Sequence, residues 1–483
     1  MRICKIVALL FVVALAPMTA IGQVNQFAEP ASSKAFADVY AIDNASFGRD
    51  VAKVGDKARA AFLREYMALM NYAAANSKAN YDAFFKASDA AFDAAYGSKY
   101  EANLLCQLHI HKCMVYIYDG SMLSGGIQFW KSYNQFKTAE KKYPGYDGQL
   151  PLRGLYNILF AQIPEKWKSM KGLLGLGDGD TDLGLRQIEQ YRDKVANVPG
   201  VGDEAVLFSF ANMFFSHDQM IPEAIVGAIR SNEAPVVRYA YILSCGRAQN
   251  GEAAVASLDA TPDVTMERYP LLYHQKGKYA LRQLDADGAI KWASKFLSVY
   301  KGVSNRNWAY LEMAYAYMLK GDRDRAKVMV DRCIATASDF DIDVRARKEA
   351  EVAMDATVPM LKARFNFEFG RYGESLRILK TFSPRQTDEA EYWFRRARAE
   401  DRLGNADAAL AEYERVIGLS TNSKRYFGPY AAVHAADICL AKGDKSGAKG
   451  YLARARKLNN GEYKKELDQR IELTERKAKG GNK

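Results

Sequence analysis

Apolar residues recur three and four positions apart from about Val51 to Arg476, and the period-2 alternation of half-buried strands is scarce. The pattern predicts an almost entirely helical chain. Turn-forming residues interrupt it at Asn76, Gly97, Asp119-Gly120, Pro144-Gly145, Gly175 to Asp182, Pro199-Gly200, Gly251 and Gly277 onward. They leave helical pieces of about 12–20 residues. Residues 23–48, with Pro30, Ala31, Ser32 and Ser33, show no clear period and are expected to form an extended lead-in.

The C-terminal half repeats one pattern: an aromatic residue, a small residue four later, a second small residue twelve further on, and a bulkier apolar residue four beyond that. Trp393, Ala397, Ala409 and Tyr413 fit it, with Gly404 at the turn and Val416 closing the second helix. Tyr310, Ala314, Ala326 and Val330 fit with Gly321, and Tyr273, Gly277, Ala289 and Ala293 fit without a turn glycine. Further copies read Ala363, Gly370, Tyr372, Ser375 and Leu379, then Ala432, Ala436, Gly443, Ala448 and Leu452. Two helices that cross closely leave room only for small side chains at the crossing, while bulky ones fill the groove beside it. The spacing is that of a tetratricopeptide repeat. Uneven steps between copies argue for insertions, notably at 334–357, and Tyr239, Ala240, Cys245 and Ala254 suggest a degenerate unit near 236–258.

The chain also resembles the tetratricopeptide repeat protein 39 and inclusion-body-clearance family, in a secreted bacterial version. The residues that carry the likeness are Gly154-Leu155-Tyr156-Asn157, Ile163-Pro164, Leu173-Leu174-Gly175 and Gly184-Leu185. Tyr426-Phe427-Gly428-Pro429-Tyr430-Ala431 and Ala453-Arg454-Ala455-Arg456-Lys457 add to it, and the similarity covers about 100 to 477. The resemblance implies an α-helical solenoid used for binding, in a bacterium, with no established catalytic residues. The leader described next sets this chain apart from the intracellular members.

Arg2 and Lys5 precede an apolar run from Ile6 to Ala16, followed by Pro17 and a small-residue site at Ala20 and Gly22. This is the layout of a signal peptide. The run is too short to span a bilayer, which takes about 20 residues, and no later stretch approaches that length. Cys4 lies ahead of the run, so no lipid anchor is expected. Beyond residue 22 the chain holds 66 basic and 57 acidic residues, a net +9, and five cysteines, so at least one thiol is unpaired. Residues 442–483 hold 13 Lys and Arg against six Asp and Glu, leaving the body near neutral. That balance does not suggest a nucleic-acid partner. The basic tail offers peripheral contact with anionic lipid, or simply a solvated helix face.

Candidate chemistry is sparse. Cys106, His109 and Cys113 share one helix face and could offer three metal ligands, but Leu104, Leu105, Leu108, Ile110, Met114 and Val115 around them make this a buried apolar helix, where core packing is the favoured reading. Asp178, Asp180, Asp182 and Glu189 take positions 1, 3, 5 and 12 of a calcium loop. Leu183 stands where the sharp turn needs Gly, so helix capping competes with ion binding. Ser216, His217 and Asp218 are consecutive and point apart, so they form no triad. No metal and no cofactor is favoured, and no catalytic residue is assigned. Acid–base pairs made only in three dimensions are invisible among 57 acidic residues.

The reading is therefore an all-α protein: an α-solenoid of antiparallel helix pairs in a superhelical array. The expected organisation is a signal peptide over 1–22, an extended lead-in over 23–48, and a helical region of degenerate pairs over 49–262. Tetratricopeptide-like repeats follow over 263–477, and a basic disordered tail over 478–483. First-helix positions flanking the packing residues define an inner groove of His274, Lys278, Arg282, Trp308, Tyr315, Arg364, Phe394, Arg398 and Arg402. Guanidinium groups grip carboxylates bidentately and rings supply contact area, so the groove favours a protein or peptide ligand with acidic groups. On the opposing reading, Arg398 and Arg402 merely pair with Glu400, Asp401 or a neighbouring repeat. The function expected is a non-catalytic binding scaffold or adaptor of the bacterial envelope, in the periplasm or exported further. The alternatives are a metal-dependent envelope enzyme and a peripheral membrane-surface binding protein.

Overall fold

The computed structural model describes residues 25–163, 172, 175–216, 223–336 and 338–478. Among them the protein is α-helical, with short 3-10 turns at Asp147–Gln149 and Gln386–Asp388 and no strand. The chain is thus an all-α helical-repeat solenoid. The expected signal peptide at 1–22, Pro164, Leu173-Leu174, His217-Asp218 and the tail beyond Ala478 lie outside the described residues.

Local chemistry explains where helices begin and end. Asp56, Ser77, Asp180, Asn250 and Asp444 each accept a hydrogen bond from a backbone N–H in the first turn of the helix that follows. Gly321, Gly370, Gly404 and Gly443 take positive φ at the turns inside repeats. In the copy that lacks the glycine, Leu284 takes its place at φ 66°. Gly277 is not a turn residue. It sits inside the Leu271–Arg282 helix, where a Cβ would meet the Ala293 nitrogen at 3.1 Å, so its smallness serves helix packing.

Two compact units form, and they do not follow the 262/263 division. Unit 1 comprises Met1–Lys278, Ala289–Glu312 and Met329–Glu351, and unit 2 comprises Tyr279–Gly288, Met313–Val328 and Val352–Lys483. In a repeat array each helix packs on the next pair as well as on its own, so no change in composition marks a boundary.

Unit 1 corrects the expected lead-in. Pro30–Ala41 and Asn44–Val51 are helices, and Phe36, Val39 and Tyr40 are fully buried. Phe36 lies 5.3 Å from the Tyr66 ring, and Phe27 stacks on Phe62 at 5.1 Å. The missing signal is physical: Ala-Ser-Ser-Lys-Ala has little helical period of its own, and burial of three large side chains, each about 1.5–3 kcal/mol, supplies the stability. Deeper in unit 1, the Lys57–Ala74 and Glu101–Tyr118 helices share a buried pair, His111 Nδ1 and Glu65 Oε2, 2.7 Å apart. Tyr66 donates to Glu204 at 2.8 Å and its oxygen lies 2.7 Å from that of Tyr40. The pair Pro235–Ala248 and Gly251–Asp259 forms the degenerate unit, burying Ala240, Cys245 and Ala254.

The repeat positions behave as their spacing requires. Ala314, Ala363, Ala397 and Ala436 on first helices are completely buried, as are Ala289, Ala326, Ser375, Ala409 and Ala448 on second helices. The long step near 334–357 holds an additional helix, Asp341–Ala353. Unit 2 stacks Val358–Phe369 with Tyr372–Lys380, Glu389–Arg402 with Ala406–Leu419, and Phe427–Ala441 with Lys445–Leu458. Lys464–Ala478 closes the stack and buries Leu467, Ile471 and Thr474. Ala478, expected in a disordered tail, is the buried last residue of this helix.

Candidate functional site

The weak metal candidates are not assembled. Cys106 Sγ lies 3.3 Å from Ser132 Oγ and 3.7 Å from the Tyr156 hydroxyl, and burial pushes the Cys106 and Cys113 thiols up to about 12, far from the thiolate a metal needs. His109 instead bonds Gln128 Oε1 at 2.7 Å on the rim of a shallow depression of about 290 Å³. Asp180 Oδ1 accepts from Leu183 N at 2.8 Å, the capping alternative to a calcium loop, beside exposed Asp178 and Asp182 and half-buried Glu189. No group of three or more His, Cys, Asp or Glu suited to a metal occurs among the described residues. Cys106, Cys113, Cys245, Cys333 and Cys439 are all buried free thiols.

The nine groove positions divide between the two units. His274, Lys278 and Trp308 belong to unit 1. His274 is buried, stacks on Phe296 at 5.1 Å and lies 3.3 Å from Glu312, so it is an interior residue rather than a groove-lining one. Trp308 donates its indole N–H to the Ile342 carbonyl at 2.8 Å. Lys278 is half-buried and engaged with its surroundings.

The other six belong to unit 2. Arg282 Nε and Arg364 Nε both reach Glu368, at 3.2 and 2.8 Å, and the Arg364 guanidinium lies over the buried Tyr315 ring at 5.6 Å. The Arg398 guanidinium lies 4.9 Å from the Phe367 ring and 5.8 Å from that of Phe394, bridging the first helices of successive repeats. Arg402, exposed, covers Tyr372 at 5.4 Å. Phe394 is buried and is floor rather than lining: it packs 5.5 Å from Phe427 and 6.3 Å from His434.

Neighbouring acids make no contact ion pair with Arg398, although its charge acts on Asp401. Glu400 pairs with Lys380 at 3.3 Å, and Asp401 accepts from the Tyr413 hydroxyl at 3.2 Å. Arg398 has no ion-pair partner within 4 Å among the described residues. Burial raises the Asp401 carboxyl above its ordinary range and pushes Asp437 up to about 6, although Arg470 lies 2.8 Å from Asp437. Burial, with the charges of Arg398 and Arg402, drives His434 well below its ordinary pKa, and the neutral ring stacks on Tyr413 at 5.7 Å. The face therefore holds aromatic rings, cations lying over rings, and carboxyls raised by burial above their ordinary range.

Asp437, Phe367 and His434 were not singled out from the sequence, and Asp401 was named there only as a pairing partner for Arg398 and Arg402. Three of them follow from register. Offsets of one, four and five after the packing alanine give Arg364, Phe367 and Glu368 from Ala363, then Arg398, Asp401 and Arg402 from Ala397, and Asp437 from Ala436. His434 falls outside these offsets and is placed only by its stack on Tyr413.

One repeat copy matches a known family model. Residues 390–423 match the tetratricopeptide repeat family model, the copy built on Trp393, Ala397, Ala409 and Tyr413. No curated protein matches the chain in sequence. Among solved structures, the chain is similar to the P58(IPK) TPR domain at 13% identity and a TM-score of 0.22, covering 92% of this chain and 99% of that one. It is also similar to yeast Tom70, at 12% identity and a TM-score of 0.24, covering 93% and 88%. The APC/C hetero-tetramer Cut9-Hcn1 gives 12% identity and a TM-score of 0.22, covering 93% and 95%. The copy at 390–423 is thus of tetratricopeptide type, within a chain built of stacked helix pairs.

Proposed function

We propose that the protein is a non-catalytic scaffold that captures a protein or peptide with acidic groups on the first-helix face of unit 2. The observation that carries this reading is Arg398: a guanidinium held between two rings and left without a carboxylate partner is preorganised for one supplied by a ligand. Arg402 on the same helix, lying over Tyr372, adds a second guanidinium, exposed, beside it. The apparent leader at 1–22 supports export, and the likeness to the tetratricopeptide repeat protein 39 and inclusion-body-clearance family supports a secreted bacterial version working in the periplasm.

The test is cross-linking in intact cells followed by purification of the tagged protein, beside an Arg398→Glu/Arg402→Glu variant. A defined set of proteins lost in the variant, with helicity and Tm unchanged, supports the reading. Equal capture by both forms overturns it.

A further inference from the structure

The Met122–Lys142 helix of unit 1 carries an exposed stripe that the proposed scaffold role leaves unused. Leu123 is 81% exposed, Ile127 47% and Trp130 46%. On a helix these positions are four and three residues apart and lie on one face. Core-facing positions of the same helix, Gly125, Ser132, Phe136 and Ala139, are buried. The stripe is therefore the outer face of a firmly anchored helix, not a slipped inner one. Gly126 between Leu123 and Ile127 adds no bulk and has nothing within 4 Å of where its Cβ would stand.

Toward the C-terminal end of the helix, along this face at Lys137 and Lys141 and on its flank at Lys131 and Lys142, the chemistry changes from apolar to cationic. Lys131, Lys141 and Lys142 are exposed and Lys137 is half-buried. The one carboxylate on the helix, Glu140, is bound by Arg153 at 2.6 Å. Beside the stripe, Tyr96 is 60% exposed and shares with Gln128 and Lys131 the lining of the depression that holds His109. Asp89 and Asp93 also line it, and Lys112 sits 3.1 Å from Asp89.

We infer that this helix docks on an anionic bilayer surface, with Leu123, Ile127 and Trp130 entering the headgroup boundary and Lys131, Lys141 and Lys142 meeting lipid phosphates. A large aliphatic side chain, a Trp and a Tyr next to several lysines is the composition an interfacial helix requires: apolar area for insertion, amphipathic rings for the boundary, and cations for the surface potential. Charge complementarity selects an anionic surface: Lys131, Lys141 and Lys142 have no ion-pair partner within 4 Å among the described residues, and Glu140 is taken by Arg153. No helix among the described residues is long and apolar enough to cross a membrane, so this contact is peripheral. It also assigns the membrane contact to this helix and not to the basic C-terminal segment, where Lys442, Arg454, Arg456, Lys464 and Arg470 are each already paired with a carboxylate.

The experiment is co-sedimentation of the mature protein with vesicles of phosphatidylglycerol and phosphatidylcholine, and with phosphatidylcholine alone. Three variants are compared: Leu123→Gln/Trp130→Gln, Lys141→Glu/Lys142→Glu, and a chain ending at Ala478. Expected is salt-sensitive binding to the anionic vesicles, weakened about tenfold or more by either double substitution and unchanged by the truncation. Because the substituted side chains are exposed, circular dichroism of each variant should match the parent. Absence of binding to anionic vesicles overturns the inference, as does binding indifferent to both double substitutions. Loss of binding on truncation alone would assign the contact to the tail. A dimer that Leu123→Gln/Trp130→Gln converts to monomer, without vesicle binding, would assign the stripe to a second copy.

Discussion

Gly154 and Gly184 face each other across two helices: a Cβ on either would stand 2.5 Å from the carbonyl oxygen of the other. The Leu150–Ala161 and Thr181–Val195 helices can approach this closely only because both residues lack side chains. Ile188 and Ile158 fill the space on either side, so a new methyl group has no room to turn into. Gly154→Ala or Gly184→Ala should each cost about 1–3 kcal/mol through forced separation of the helices. The double variant should cost less than the sum, because the first substitution already opens the crossing. Denaturant melts of the parent, both singles and the double would check this, and additive losses would show that the two sites act independently.

Asp38 supplies a pH dependence. Burial, and then the charges of Asp50 and Asp43, push its carboxyl up to about 6. A raised folded-state pKa means the folded protein holds a proton that the unfolded chain releases near pH 4. The contribution is therefore fully present below about pH 4 and is lost as pH rises through about 6. Asp38→Asn should remove this loss, leaving the variant more stable than the parent by about 1–2 kcal/mol at pH 7, after discounting for partial solvent screening. The difference should close below pH 4. Stability curves at a series of pH values would show the gap opening between those limits, and a gap constant across pH would refute the assignment.

Gly404 sits at φ 83° in the turn of the repeat built on Trp393 and Tyr413. With nothing within 4 Å of the place a Cβ would occupy, only the backbone opposes a side chain there. Gly404→Ala should cost about 1 kcal/mol and Gly404→Asn distinctly less, since Asn tolerates the left-handed region better than Ala. Thermal melts of the two variants would separate this backbone effect from a packing effect, which would penalise the larger Asn more.

Arg398 offers a stability test of its own. Its contacts with Phe367 and Phe394 are cation–ring contacts on a partly exposed face, each contributing about 0.5–1 kcal/mol at most. Arg398→Ala should lower stability by no more than about 1–2 kcal/mol while leaving helicity intact. A larger loss, or aggregation, would show that the residue holds neighbouring repeats together.

The five free thiols are buried, and burial drives Cys106, Cys113 and Cys333 up to about 12. None should react with a thiol reagent at neutral pH in the folded protein, and all five should react once denaturant opens it. Rapid labelling of even one thiol under native conditions would place it in a locally opening segment.

Local spacing and the volume available where two helices touch were enough to set the helices beyond residue 51, the repeat register and the small residues at helix crossings. Ala397 with Ala409 and Ala436 with Ala448 were legible as packing pairs for that reason, and all four are fully buried. The Pro30–Ala41 helix was not legible, since its stability comes from Phe36 and Tyr40 meeting Tyr66, a partner distant in sequence. The same holds for the groove: register names the residues on a face but not their neighbours. Tertiary packing turned His274 inward against Phe296, set Phe394 beneath His434, and occupied Glu400 and Asp401 with Lys380 and Tyr413. Those partners come from other helices, and the resulting absence of a carboxylate at Arg398 is decided only when the helices stack.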